Sequence, residues 1–169
     1  MRRFLSSALT GLFGLLFLQF GLAQEERRSE GVKQPIEFNH YLHAESGLQC
    51  SSCHPTANSK DQAGIPGSKE CLACHRKFQT TGATLRILEG YEKTRQKIQW
   101  VRIYQLPGFV FFSHQAHLKA NADCSTCHGD VKAREVLWKE KEISMAACIS
   151  CHKASNASTD CNLCHELNR

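Results

Sequence analysis

The sequence predicts a mainly irregular chain with short α-helices, almost no strand, and two repeated modules whose core its own side chains cannot fill. Three observations carry that reading. All ten cysteines fall in C-x-x-C pairs, and a histidine follows each pair at once. A frame of six residues, Phe112, His114, His117, Cys124, Cys127 and His128, occurs 74 residues earlier as Phe38, His40, His43, Cys50, Cys53 and His54. With a leader set aside, fewer than thirty residues remain for each of the five motifs, too few for an ordinary apolar core.

The motif explains the shortage. C-x-x-C-H is the attachment signature of c-type haem. Two thiols add across the haem vinyl groups, and the adjacent imidazole comes to lie beneath the iron as proximal ligand. The predicted attachment residues are Cys50, Cys53, Cys71, Cys74, Cys124, Cys127, Cys148, Cys151, Cys161 and Cys164. The predicted proximal ligands are His54, His75, His128, His152 and His165. Five covalently bound haems c are therefore expected, and they make the core, offsetting ordering costs that sparse side-chain packing does not meet. A secreted disulfide framework has no use for the five histidines. Structural zinc uses paired cysteines but does not require a histidine directly after every pair.

Taken in order, residues 1–23 have a basic start at Arg2 and Arg3, an apolar run, and small residues at Gly21-Leu22-Ala23. That pattern reads as a cleaved secretory signal peptide, which places the protein in the periplasm. The competing reading is an uncleaved anchor, since Leu5 to Ala23 approaches the roughly 20 residues of a spanning helix. Residues 24–33 are expected to form a flexible, charged lead-in. Without Arg2 and Arg3, 19 basic and 16 acidic residues remain, a net +3 that ten haem propionates would outweigh in the reduced protein. The basic balance is thus no sign of nucleic-acid binding.

The first haem module is expected over 34–78, with two attachment sites separated by the loop PTANSKDQAGIPGSKE. A connector follows over 79–111. Leu85, Leu88, Tyr91 and Arg95 have helical spacing there, interrupted by Gly90. Trp100 to Phe112 reads as a short extended run broken by Pro107-Gly108. Its aromatic residues are expected to pack on haem faces or on a partner subunit. The second module, 112–169, holds three sites. Part of the stretch between His128 and Cys148 is expected to be helical, with Val131, Leu137 and Trp138 facing inward. The polar stretch KASNASTDC, up to Cys161, forms a loop between the last two sites.

Each haem usually takes a second axial ligand. Nine histidines less five proximal ones leave His40, His43, His114 and His117, all in H-x-x-H pairs ahead of a site. Five haems need five distal ligands, and Met145 is the one soft sulfur donor left once Met1 departs with the leader. The count predicts four His/His haems and one His/Met haem, the latter at higher potential. The alternative for the fifth haem is an open iron.

The F-x-H-x-x-H-(x6)-C-x-x-C-H frame resembles the class III multihaem cytochromes c (the cytochrome c3/c7-like family). In that family the first histidine ligates the neighbouring haem and the second reaches another. The resemblance implies that His40 serves the haem at Cys50/Cys53 and His114 the haem at Cys124/Cys127, with His43 and His117 crossing to others. Three further stretches resemble the pentahaem subunit of alternative complex III, a bacterial quinol oxidoreductase. They are Ile98 to His114, Ile65-Pro66 with Cys71 to His75, and Met145 with Cys148 to His152. The likeness implies an exported electron-transfer subunit docked on iron–sulfur and membrane subunits, passing electrons to a cytochrome c or an oxidase.

No C-x-x-C-K site, glycine-rich nucleotide loop or catalytic nucleophile motif occurs. An electron-transfer protein and not an enzyme is therefore expected, with no catalytic residues, a redox protein as partner, and membrane association through partners or a retained anchor. A free periplasmic shuttle and a multihaem reductase with one open haem are the alternatives.

Overall fold

The computed structural model describes residues 31–78 and 82–165. The predicted leader lies outside the described residues. Among the described residues, no helix is long and apolar enough to cross a membrane.

The elements are short, as expected. In chain order they are α1 (His40–Glu45), α2 (Cys50–Cys53), α3 (Ser68–His75), α4 (Gly82–Thr94), α5 (His114–Lys119), α6 (Cys124–His128), a 3₁₀ turn (Val131–Ala133), α7 (Met145–Ala154) and α8 (Cys161–Cys164). Among the described residues, strand is limited to an isolated antiparallel bridge between Val110 and His165. Helices this short have little intrinsic stability. Their starts are instead fixed by capping side chains that take up otherwise unpaired backbone N–H groups. Asn39 accepts from Leu42 N–H ahead of α1, and Ser113 accepts from Ala116 N–H ahead of α5. Asp123, Ser144 and Asp160 do the same for α6, α7 and α8.

The apolar core is small and lies in one place. Ile36, Leu72, Leu88 and Ile98 are its buried members, with Cys71, Leu85, Tyr91 and Trp100 packed against them. Leu72 on α3 and Leu88 on α4 are only 2% and 3% exposed. Ser68 on α3 adds a hydroxyl bond to Glu92 on α4 at 2.9 Å. The helix expected in the connector thus forms, and Gly90 sits inside it at the cost in propensity that burial of Leu88 offsets. Residues 98–101 return to the first module. Trp100 donates its indole N–H to Pro66 O at 2.9 Å, and the Gln34 side chain bonds both the N–H and the carbonyl of Val101.

The second module has no counterpart to this core. Among its described residues no apolar side chain is buried. Between His128 and Cys148 the expected helix amounts to the 3₁₀ turn alone, before α7 begins at Met145. The cause is local. Gly129 takes φ 75°, a left-handed conformation that ends α6, and a Cβ there would fall 2.8 Å from Glu140 Cβ. Arg134 then closes the loop on Glu140 with bonds of 2.6 and 3.3 Å, its guanidinium lying 4.7 Å from the Trp138 ring. Val131, Leu137 and Trp138 are half-buried. The modules brace each other where Tyr41 N–H on α1 donates to Arg134 O at 2.9 Å.

Candidate haem and axial-ligand sites

Each C-x-x-C pair lies on one helical turn, so its two thiols project from the same side. All ten cysteines are free thiols, exposed or half-buried. Burial first, and then neighbouring thiols, push Cys53, Cys71, Cys127 and Cys148 up. Cys124 is raised likewise, by burial and by Cys50. Among the described residues, no group of three or more His, Cys, Asp or Glu is placed to hold a metal ion. A haem iron asks the chain for only two axial donors.

Such pairs are present. His43 on α1 faces His75 with ring centres 5.9 Å apart, and His117 on α5 faces His152 at 6.0 Å. His114 faces His128 at 6.3 Å, with ring planes 5° apart. Two metal–imidazole bonds of about 2 Å, with roughly 1 Å more from each nitrogen to its ring centre, separate such rings by roughly 6 Å. The residues therefore fit the group. His40 lies beside His54. Burial, then His54 and His43, lower its pKa to about 4 and keep the ring neutral, the form that ligates metal. Burial, then His114 and His54, lower His128 in the same way.

The repeat holds in three dimensions. Phe38 stacks on His43 at 4.4 Å and meets His40 edge-on at 4.6 Å. Phe112 stacks on His117 at 4.4 Å and meets His114 edge-on at 4.8 Å. The phenylalanine ahead of each H-x-x-H pair thus orients both of its imidazoles.

The structure adds a layer that sequence reasoning missed. Five histidines commit Nδ1 to a backbone carbonyl: His43 to Asn39, His54 to Gly64, His114 to Asp61, His117 to Ser113 and His152 to Ser158, at 2.6–2.8 Å. Such a bond fixes the tautomer, leaves Nε2 for the metal and aims the ring. For His43 and His117 the acceptor is the N-cap residue four positions earlier, a signal legible in the sequence. The Asp61, Gly64 and Ser158 carbonyls come from loops whose course no motif announces. Gly64 reaches His54 by adopting φ 76°.

The fifth site is built differently. His165 has Phe109, not an imidazole, at 5.9 Å and a 30° tilt. Phe111 N–H donates to Cys164 O at 2.8 Å and pins the segment there. Met145 opens α7 with its side chain 65% exposed, three residues ahead of Cys148 on the same helical side. The aromatic run expected to meet haem faces or a partner thus reaches motif histidines twice, since Tyr104 also meets His128 edge-on at 4.9 Å.

The family described as cytochrome c7 and related cytochrome c matches residues 110–166, and that described as cytochrome c3 matches residues 42–101. A cytochrome c3 of Desulfuromonas acetoxidans is 38% identical over 58 residues, 34% of this chain and 82% of that protein. The chain belongs to the cytochrome c7/c3-like multihaem cytochromes. Its work is electron transport, and its family binds haem c covalently. A second relative spans more of this cytochrome. The multiheme cytochrome c subunit of a menaquinone reductase from Nitratidesulfovibrio vulgaris (strain Hildenborough) is 26% identical over 162 residues, covering 79% of this chain and 77% of that protein.

Proposed function

We propose that the chain is a periplasmic pentahaem cytochrome that carries electrons as a subunit of a quinol-oxidising respiratory complex of the alternative complex III kind. The observation that carries the reading is the placement of the leftover histidines. All four stand beside a motif histidine, three of them at ring separations suited to a shared iron. Irons closed on both axial sides pass electrons and offer no place for a substrate. On this reading the axial pairs are His40/His54, His43/His75, His114/His128 and His117/His152. The first histidine of each H-x-x-H serves the site that follows it, and the second crosses to the next.

Met145 completes the fifth pair with His165. Its support is the count of donors and its position one turn ahead of Cys148, whose thiol has Cys164 for a neighbour. The partners are the membrane and iron–sulfur subunits that exchange electrons with quinone. A second reading reverses the flow, because the longer relative belongs to a menaquinone reductase.

The test is to purify the tagged holoprotein from its native membranes, count haems by pyridine haemochrome and intact mass, and watch the haem α-band. Five haems, reduced by menaquinol only with copurified membrane subunits, support the first reading. Oxidation of prereduced haems by menaquinone, with no reduction by menaquinol, establishes the second. Turnover of nitrite by the isolated chain would sink both.

A further inference from the structure

We propose that the five sites form a single file in the order Cys71/Cys74, Cys50/Cys53, Cys124/Cys127, Cys148/Cys151, Cys161/Cys164. The first two are thus traversed against their order in the sequence. The proposal rests on the reading that each site carries a haem.

Four links define the file, and each has a structural joint. The first is α1. His40 and His43 lie one turn apart on a six-residue helix, His43 facing His75 and His40 beside His54, so one rigid element serves both sites. The Cys53 thiol has Cys74 for a neighbour, consistent with that contact. The third link repeats the device on α5, with His114 facing His128 and His117 facing His152. There the Cys127 thiol neighbours Cys151 and Cys148.

The second link joins the modules. The backbone N–H and Nδ1 of His114 both bond Asp61 O, at 3.0 and 2.8 Å, and Gln115 N–H donates to Lys60 O at 3.2 Å. Those carbonyls belong to the loop that also holds His54 through Gly64. Tyr41 N–H to Arg134 O and Gln115 N–H to Lys60 O are the same bond with the modules exchanged, and the Cys124 thiol has Cys50 for a neighbour across this joint. These two cysteines are the same position of the repeat. Tandem repeats stacked head to tail would bring unlike positions together; here like meets like. The modules therefore join head to head at Cys50 and Cys124, which turns the Cys71/Cys74 and Cys148/Cys151 sites outward. The fourth link extends one side only. The loop that leads into α8 is held on His152 by the Ser158 carbonyl at 2.6 Å, the Cys148 thiol neighbours Cys164, and the site at Cys161/Cys164 has no counterpart in the first module.

The order is testable through redox interactions, which are strongest between nearest haems because charge interactions fall with distance. The holoprotein would be titrated by spectroelectrochemistry, with individual haems resolved by paramagnetic NMR. Wild type must first show five haems; a lower count would overturn the haem reading and the end of the file together. In Cys71→Ala/Cys74→Ala, loss of a terminal haem should shift one remaining midpoint. In Cys50→Ala/Cys53→Ala, loss of an interior haem should shift two. A file following the sequence would give the opposite, two shifts and then one, and would overturn the proposal. His43→Met and His40→Met serve if either deletion fails to fold. Each keeps five haems and raises one potential, and the number of responding neighbours should again be one and two.

Discussion

The two modules hold the same histidine and cysteine frame with nearly the same ring geometry, yet they rest on different foundations. Behind the first frame stands a protein core, in which Leu72 of α3 and Leu88 of α4 are closed off with Ile36 and Ile98. Behind the second no described apolar side chain is buried, and three C-x-x-C-H motifs share residues 112–165. Burial stabilises by roughly 25 cal/mol per Å² of apolar surface, and on the proposed pentahaem reading the haem faces supply that surface in the second module. The difference teaches that one ligand frame can be positioned by side-chain packing or by the cofactors it binds.

The largest expected effect tests this directly. Cys124→Ala/Cys127→Ala removes the first of the three attachment motifs of the module that lacks its own core. Limited trypsin digestion followed by mass spectrometry should show cleavage within 129–160 rising at least about tenfold, as local opening approaches global unfolding. Cys71→Ala/Cys74→Ala should leave cleavage within 82–100 changed by much less, because Leu72, Leu88 and Ile98 remain. Equal sensitivity of both regions to haem loss would break the comparison.

A substitution in the protein core sharpens it from the other side. Leu88 is 3% exposed, and truncating a buried leucine to alanine costs about 2–5 kcal/mol. In Leu88→Ala, hydrogen exchange should accelerate across α3 and α4 and stay near wild type in α5 and α7. Matching acceleration in all four helices would mean that the modules share one cooperative unit.

These contrasts mark how far the sequence could be read. The family, the C-x-x-C turns and the doubled frame were legible, because covalent chemistry fixes residue spacing within one helical turn. The helix at Gly82–Thr94 was legible from Leu85, Leu88 and Tyr91. The course of 129–144 was not, since it turns on Gly129 and on Arg134 meeting Glu140 across six residues, a pairing that leaves no periodicity. Nor were the Asp61, Gly64 and Ser158 carbonyls that aim three histidines, because any residue supplies a carbonyl. The proposed head-to-head joining was hidden for the same reason. A tandem repeat in sequence says nothing of how its copies face.

The smallest expected effect probes what holds the 129–144 loop in place of a core. The Arg134 hydrogen bond, and then its charge, hold the Glu140 carboxyl below the usual carboxylate range, helped by Asp130 N–H. A depressed folded-state value means that the pair stabilises the protein above the unfolded carboxylate value of about 4.3. That contribution fades as pH falls through the folded value. Glu140→Gln keeps the shape and removes the titration. Urea midpoints for wild type should exceed those of Glu140→Gln at pH 7, with the gap closing towards pH 3 and shrinking in 1 M salt. Arg134 also accepts the α1 bond from Tyr41 through its carbonyl, so the variant should loosen Tyr41 N–H in hydrogen exchange. A gap that is the same at both pH values would assign the loop's stability to the Trp138 and Tyr104 contacts instead. Tyr104 accepts from Glu140 N–H and Lys141 N–H at 2.9 and 3.1 Å, bonds that no carboxyl titration touches.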